Sequence, residues 1–306
     1  MTSIHIPSME VADVSSPSAQ SEAAPIFVQF SQSGFFRDAR APALPLPEEV
    51  RSLNEASGDL RARYDDHPTP LIIRSLGLVV KYGTEVTAAE LEAQRFVHEQ
   101  LQGQVPVPEV FAWAEDAGQG FIYMDLIEGD TLQSRFKNMD LTERDDVCAE
   151  LRSMVNAWRG LTQDDPEPYV GGHKKLPLHD YYVAQKPERV GPYLGADAVR
   201  EFHAACRIDI EENVPLYFTQ SDLCPPNILI SRGNNPKVVG ILDFGQAGWL
   251  PSYWEYAKTT RSGILEEDFN EELQEEWREV YLPKIHEFVP SDELFDPWVL
   301  FYLRNI

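Results

Sequence analysis

The sequence predicts an α+β fold in two lobes, a small one of antiparallel sheet plus one key helix and a larger helical one. Three observations predict it. Runs dense in β-branched and aliphatic residues crowd the first part, to about residue 125. Helical periodicity dominates the remainder. Within that remainder, two short apolar runs, ILI and VVGIL, form an embedded strand–loop–strand unit.

The material for a core is ample. The chain has 306 residues, 43% hydrophobic and 11% aromatic, which excludes wholesale disorder. With 26 Lys+Arg against 50 Asp+Glu, the formal charge is −24, and the pI is about 4.6. Such a polyanion repels phosphate backbones and anionic lipid, so neither nucleic acid nor membrane is expected as a partner. No apolar run approaches the ~20 residues that span a bilayer. The opening MTSIHIPSMEVADVSS has no basic region and no apolar run of a secretory signal. Cys148, Cys206 and Cys224 are odd in number and far apart. Neither a disulfide framework nor a thiolate metal site is expected, and the setting is expected to be cytoplasmic.

The elements follow in order. Residues 1 to about 25, rich in Ser, Ala, Pro and acidic groups, read as a solvated tail. A helix is expected from Pro47, with Val50, Leu53, Leu60 and Tyr64 as its apolar positions. LIIRSLGLVVKYG, residues 71–83 and broken at Gly77, reads as two short strands. Thr87 and Glu90 form a capping box opening a helix with Leu91, Phe96 and Leu101 on its apolar face. VPVPEVFAWAED and GQGFIYMDLIEGD read as an antiparallel pair around a turn at Asp116 to Gly120. The clearest helix, 142–160, has Val147, Leu151, Met154, Val155 and Trp158 inside, Thr142 and Asp145 at its start, and Gly160 at its end. Residues 161–200 read as irregular connection, FHAACRI as helix, and 266–282 as an acidic helix. DPWVLFYLRNI ends the chain in an apolar stretch, from which a short or truncated last helix is expected.

Chemistry concentrates in 218–249. Asp222 stands five residues before Asn227, which runs into ILI, and sixteen residues later Asp243 ends VVGIL and enters Phe244-Gly245. Asp222 can accept a hydroxyl proton, while Asn227 and Asp243 offer oxygen ligands to Mg²⁺, a hard cation. D-x-x-x-x-N followed by D-F-G matches the mechanistic signature of protein kinases, and the joint pattern is far more specific than either part. A lone Asp before a Pro-rich loop is ordinarily a turn. Upstream, Lys81 ends LGLVVKYG as a phosphate-binding lysine would, with Glu90 or Glu92 on the next helix to hold its ammonium. MDLIEGDTL, residues 124–132, would cross between lobes, the backbone of Met124 and Leu126 meeting an adenine edge.

These segments together resemble the aminoglycoside phosphotransferase and choline kinase-like family, especially its divergent fungal-type members. The similarity runs from about residue 71 to 260, and AGWLPSYWEYAK is its most distinctive stretch. The resemblance implies a protein-kinase-like fold, ATP and Mg²⁺ as cofactors, Asp222 as catalytic base, and Asn227 and Asp243 as metal ligands. It also implies Lys81 as the ATP phosphate contact with Glu90 as its partner. Glu255, Trp249, Tyr253, Trp254 and Tyr256 are expected to pack beneath the site. On this basis residues 1–40 are expected as a flexible extension, 41–125 as the nucleotide-binding lobe and 126–306 as the catalytic lobe.

Two departures stand out. Gln220-Ser221 replaces the His-Gly or His-x that precedes the family's catalytic Asp, and no G-x-G-x-x-G precedes Lys81, where RSLG offers only Gly77. The expected activity is ATP-dependent transfer of a phosphoryl group to the hydroxyl of a small acceptor. The acidic run EEDFNEELQEE, residues 266–276, would favour an amine-bearing acceptor, although such runs are ordinarily solvated faces. The alternative is a kinase-like nucleotide-binding or scaffold protein with little catalysis. A protein kinase is disfavoured, since no A-P-E segment follows Asp243.

Overall fold

The computed structural model describes residues 26–211, 214–261, 269–287 and 289–305. The small lobe is a five-stranded antiparallel sheet in the order β1-β4-β5-β3-β2. Its strands are β1 (Ile26–Gln29), β2 (Leu71–Ile73), β3 (Leu78–Gly83), β4 (Val110–Asp116) and β5 (Gln119–Asp125). Gly77 ends a tight turn between β2 and β3 at φ +57°, a conformation glycine adopts at little cost. Ala117 and Gly118, both at positive φ, close the β4–β5 hairpin, whose twist matches that of its strands.

Alternation along β3 sends Leu78, Val80 and Tyr82 to one face of the sheet and Val79 and Lys81 to the other. The first face is not open to solvent. It packs Phe111, Phe121 and Tyr123 against Phe35 of a single helical turn, α1 (Gly34–Arg37), and Val50 of α2 (Pro47–Ala56). Asn54 of α2 donates to the Tyr82 hydroxyl at 2.9 Å. The second face holds Val110, Trp113, Ile122 and Met124 under Leu91 of α3 (Ala88–Gln100), which starts where Thr87 Oγ1 accepts from Glu90 N.

Two sequence expectations change here. Residues 26–37, placed in the extension, belong to the sheet and its cover: β1 pairs with β4, and Phe35 is fully buried. The helix from Pro47 stops at Ala56. Gly58 at φ +81° turns the chain, and a 3₁₀ turn capped by Asp59 follows, leaving Leu60 and Tyr64 exposed.

The larger lobe begins at β6 (Asp130–Thr131), the third strand of a sheet ordered β11-β10-β6, where β10 is Ile228–Ile230 and β11 is Val238–Ile241. Thr131 caps α4 (Leu132–Phe136). The long helix α5 (Leu141–Arg159) opens on an Asp140/Glu143 capping box rather than at Thr142 and Asp145. Residues 161–200 are not wholly irregular, because β7 (Tyr169–Val170) pairs with β8 (Tyr193–Leu194). After α6 (Ala198–Cys206), β9 (Leu216–Thr219) pairs with β12 (Gly248–Pro251), and α7 spans Trp254–Thr259. The acidic helix is shorter than expected, with α8 at Glu271–Glu276 capped by Asn270; residues 262–268 lie outside the described set. Glu276 pairs with Arg144 at 3.0 Å and Phe269 packs on Phe136, so this segment is docked on α4 and α5. Glu271, Glu272 and Glu275 are exposed. No helix among the described residues is long and apolar enough to cross a membrane.

Two histidines of this lobe predict an acid sensitivity. Burial drives His286 down to about 3 and His203 down to about 4. The unfolded chain takes up their protons near pH 6.5, whereas the folded chain resists until far lower pH, so stability falls as pH drops below 6.5. His286→Phe should recover about 2–4 kcal/mol of the loss between pH 6.5 and 4 in urea denaturation. An unaltered pH slope would refute this origin.

Candidate active site

Lys81 leaves the inner face of β3 and ends between two carboxylates, Glu90 Oε1 at 2.6 Å and Asp243 Oδ1 at 3.0 Å. Glu90 sits in the first turn of α3, and Asp243 follows β11 in the larger lobe, so this ammonium bridges the lobes. Glu92 is not its partner, for it pairs with Lys174 at 2.5 Å. Burial alone would lower the Lys81 ammonium; the two carboxylates reverse that and raise it. Burial likewise presses the Glu90 carboxyl up, against the pull of Lys81. Asp243 is held low despite its burial, by Lys81 and by the Gly245 N–H at 3.2 Å. A Cβ on Gly245 would stand 3.1 Å from Asp243 Oδ1 and 3.3 Å from Glu90 Oε2, so glycine lets the three groups close.

The second group lies at the mouth of the β10–β11 pair. Antiparallel pairing of Ile228 with Ile241 brings Asn227 beside Leu242-Asp243, and Leu242 N donates to Asn227 O at 2.8 Å. Asn227 Nδ2 donates to Asp222 Oδ2 and to Asp222 O, both at 2.9 Å. Burial pushes Asp222 up to about 6, with the Lys258 ammonium pulling the other way.

Gln220 braces the loop. Its Nε2 donates to Leu242 O at 3.1 Å and Asp243 O at 2.5 Å, while its Oε1 accepts from Asp222 N at 2.7 Å. An amide thus ties the Asp222 loop to the Asp243 segment without a titrating group. Ser221 at φ +64° and Asp243 at φ +59° hold a conformation that costs non-glycine residues about 1–2 kcal/mol each. From below, Glu255 on α7 is fully buried and accepts from Gln220 N, Ser221 N and Trp158 Nε1 at 2.7, 3.1 and 3.1 Å.

One donor of the adenine-side expectation is already engaged. Leu126 N already donates to Gly77 O at 3.0 Å, so that amide is not a nucleotide donor. Met124 is buried on the inner face of β5, its Sδ accepting from Gln94 Nε2 at 3.5 Å. Sequence reasoning also missed a trio near Asp222 built on the buried pair Asp180 and Lys258. Lys258 Nζ meets Asp180 Oδ2 at 2.6 Å and Gln246 Oε1 at 2.5 Å, and Gln246 Oε1 also accepts from Tyr181 N at 2.8 Å. The signal available was a lysine inside the aromatic run PSYWEYAK.

Several solved structures resemble this one. They include an aminoglycoside-3′-phosphotransferase of type VIII, with 19% identity over 81% of this chain and 97% of that one, TM-score 0.46. APH(2″)-IIa in complex with gentamicin gives 16% identity over 79% and 84%, TM-score 0.47. A thermostable APH(4)-Ia mutant in ternary complex with ADP and hygromycin B gives 17% over 69% and 75%, TM-score 0.43. No curated protein matches the chain. The model of the phosphotransferase enzyme family matches residues 74–288, a span that holds Lys81, Glu90, Asp222, Asn227 and Asp243 and leaves β1, α1 and α2 outside. Over two thirds of the sequence falls within that match, and the chain belongs to the phosphotransferase enzyme family.

Proposed function

We propose that this phosphotransferase is an ATP-dependent kinase of a small hydroxylated molecule, with a nucleotide-binding lobe to residue 125 and a catalytic lobe from 126. The observation that carries this reading is the Lys81 ammonium held between Glu90 and Asp243, with Gln220 tying the Asp243 segment to the Asp222–Asn227 pair. Lys81 is poised for phosphate oxygens, and Asp222 for the acceptor hydroxyl, which it orients and whose proton it takes. Asn227 spends its Nδ2 on Asp222 and keeps its amide oxygen for a cation beside the Asp243 carboxylate. One carboxylate and one amide are a short oxygen set, suited to Mg²⁺ that arrives on phosphates. Among the described residues no group of three or more His, Cys, Asp or Glu gathers for a resident metal. Mg²⁺ bound there would neutralise charge on the phosphoryl group in flight.

Amine-bearing alcohols head the acceptors to be tried, because the chain is strongly anionic and Asp222 and Asp243 share the site. We place the protein in the cytoplasm, where its three buried free thiols would stay reduced. A second reading, nucleotide binding without transfer, has one observation behind it. Among the described residues β2 is an edge strand of the sheet, with no further strand paired outside it to form a phosphate-covering hairpin. Calorimetric titration of ATP with and without Mg²⁺, into wild type and Asp243→Asn, tests the nucleotide site. Magnesium-dependent binding that weakens at least tenfold in the variant supports it, and no binding in wild type overturns it. Transfer to a member of an alcohol panel then separates the two readings.

A further inference from the structure

The segment Gly171–Lys175 lies outside every motif above, yet it holds two successive residues at positive φ. Lys174 (φ 58°, ψ 31°) and Lys175 (φ 60°) are consecutive residues in the left-handed region, which side chains larger than glycine seldom adopt even singly. The surroundings hold them there. Gly172 N donates to Leu176 O at 2.8 Å, and Lys175 pairs with Asp165 at 2.6 Å. At Gly172 a Cβ would meet Pro177 O at 3.0 Å and Leu176 O at 3.1 Å. Strain maintained by so many contacts is characteristic of a functional turn.

What the turn joins gives it a purpose. Its base is tied to β12, with Gly171 N donating to Trp249 O at 3.2 Å and Trp249 N to Gly171 O at 2.8 Å. Trp249 stands six residues after Asp243. Its tip reaches α3, where the His173 ring lies flat on Phe96, centroids 4.0 Å apart and planes 18° apart. His173 Nδ1 is buried without a hydrogen bond, so the ring serves by its face. Phe96 also meets Phe218 of β9 and Trp249 of β12, and Lys174 reaches Glu92, four residues before Phe96 on α3. The helix carrying Glu90 is therefore seated in a slot whose last wall is His173.

We propose that the Gly172–Lys175 turn is a clamp that positions α3, and through it the Lys81–Glu90 pair, with His173 as the positioning residue. The inference rests on the proposed nucleotide site for its functional consequence, while the seating of α3 is independent of it. Two measurements on the full chain test it: the Kd for Mg·ATP by calorimetry, and hydrogen exchange of the amides of residues 88–100 without nucleotide.

His173→Ala is expected to weaken Mg·ATP binding about three- to tenfold, the worth of one well-packed aromatic pair, and to speed exchange along α3. His173→Phe, which keeps a flat ring, should restore both. In a Glu90→Gln background the same alanine change should alter Kd by less than about twofold, since the pair through which it acts is already broken. An unchanged Kd and unchanged exchange in His173→Ala would overturn the clamp, as would an equal loss with and without Glu90. Should His173→Ala not fold, Lys174→Glu opposes Glu92 at an exposed position, and its about twofold effect should reverse on adding Glu92→Lys. No effect, or no reversal, also refutes the proposal. If wild type binds no ATP, the nucleotide reading fails, and the exchange measurements alone decide the clamp.

Discussion

Glu255→Leu is expected to cost about 3–5 kcal/mol of folding stability and to loosen the Gln220–Asp222 loop. The carboxylate is fully buried on α7 and accepts three hydrogen bonds, from Gln220 N, Ser221 N and Trp158 Nε1. Leucine nearly fills the same volume, so the loss is not a cavity. It is the stranding of three donors, each of which costs about 1–3 kcal/mol when buried without a partner. Burial raises the Glu255 carboxyl, while these donors and Arg159 work to keep it charged. Glu255→Gln keeps an acceptor oxygen and should cost only about 1–2 kcal/mol. Urea midpoints of the three proteins measure the difference, and a leucine variant within 1 kcal/mol of wild type, on the order of one hydrogen bond, would show that the loop is held otherwise.

Asp222→Asn should leave Mg·ATP affinity within about twofold and reduce turnover about 10²–10⁴-fold, the usual contribution of a positioned base. Asparagine keeps an oxygen for Asn227 Nδ2, so the loop geometry survives while the proton acceptor is lost. In the wild type, burial has brought this carboxyl up to about 6. Its charged form is thus present above that pH and disappears below it, so the rate should fall on the acid side with a midpoint near 6. A variant as fast as wild type on the same acceptor would remove Asp222 from the chemistry.

The parts of the fold that local signals encode were readable in the sequence. Thr87 caps α3 as its spacing to Glu90 implies, Gly77 breaks 71–83 where only glycine turns easily, and the Asp222, Asn227 and Asp243 spacing is met by antiparallel pairing of the two apolar runs between them. What escaped is non-local. β1 is an edge strand with mostly exposed side chains, held by backbone pairing to residues some 85 positions away, and carries no alternation to betray it. Asp180 and Lys258 are 78 residues apart, and neither means anything until α7 packs on the connection that holds Asp180. The Leu126 amide was misjudged because whether a backbone donor is free depends on the neighbouring turn, here Gly77. Gln220 was seen as a loss, and only geometry reveals that both ends of its amide are engaged.

The covered outer face of the small sheet has a consequence for how this protein is bounded. Phe35 and Val50, which seal Leu78, Val80, Phe121 and Tyr123, precede residue 74, where the family match begins. A fragment cut at the family's limits would keep the site residues and lay bare a wall of large apolar side chains, the kind of patch that draws chains into aggregates. The stretch by which kinship is recognised is shorter than the stretch that must fold, and in this chain the difference is a whole layer of the small lobe.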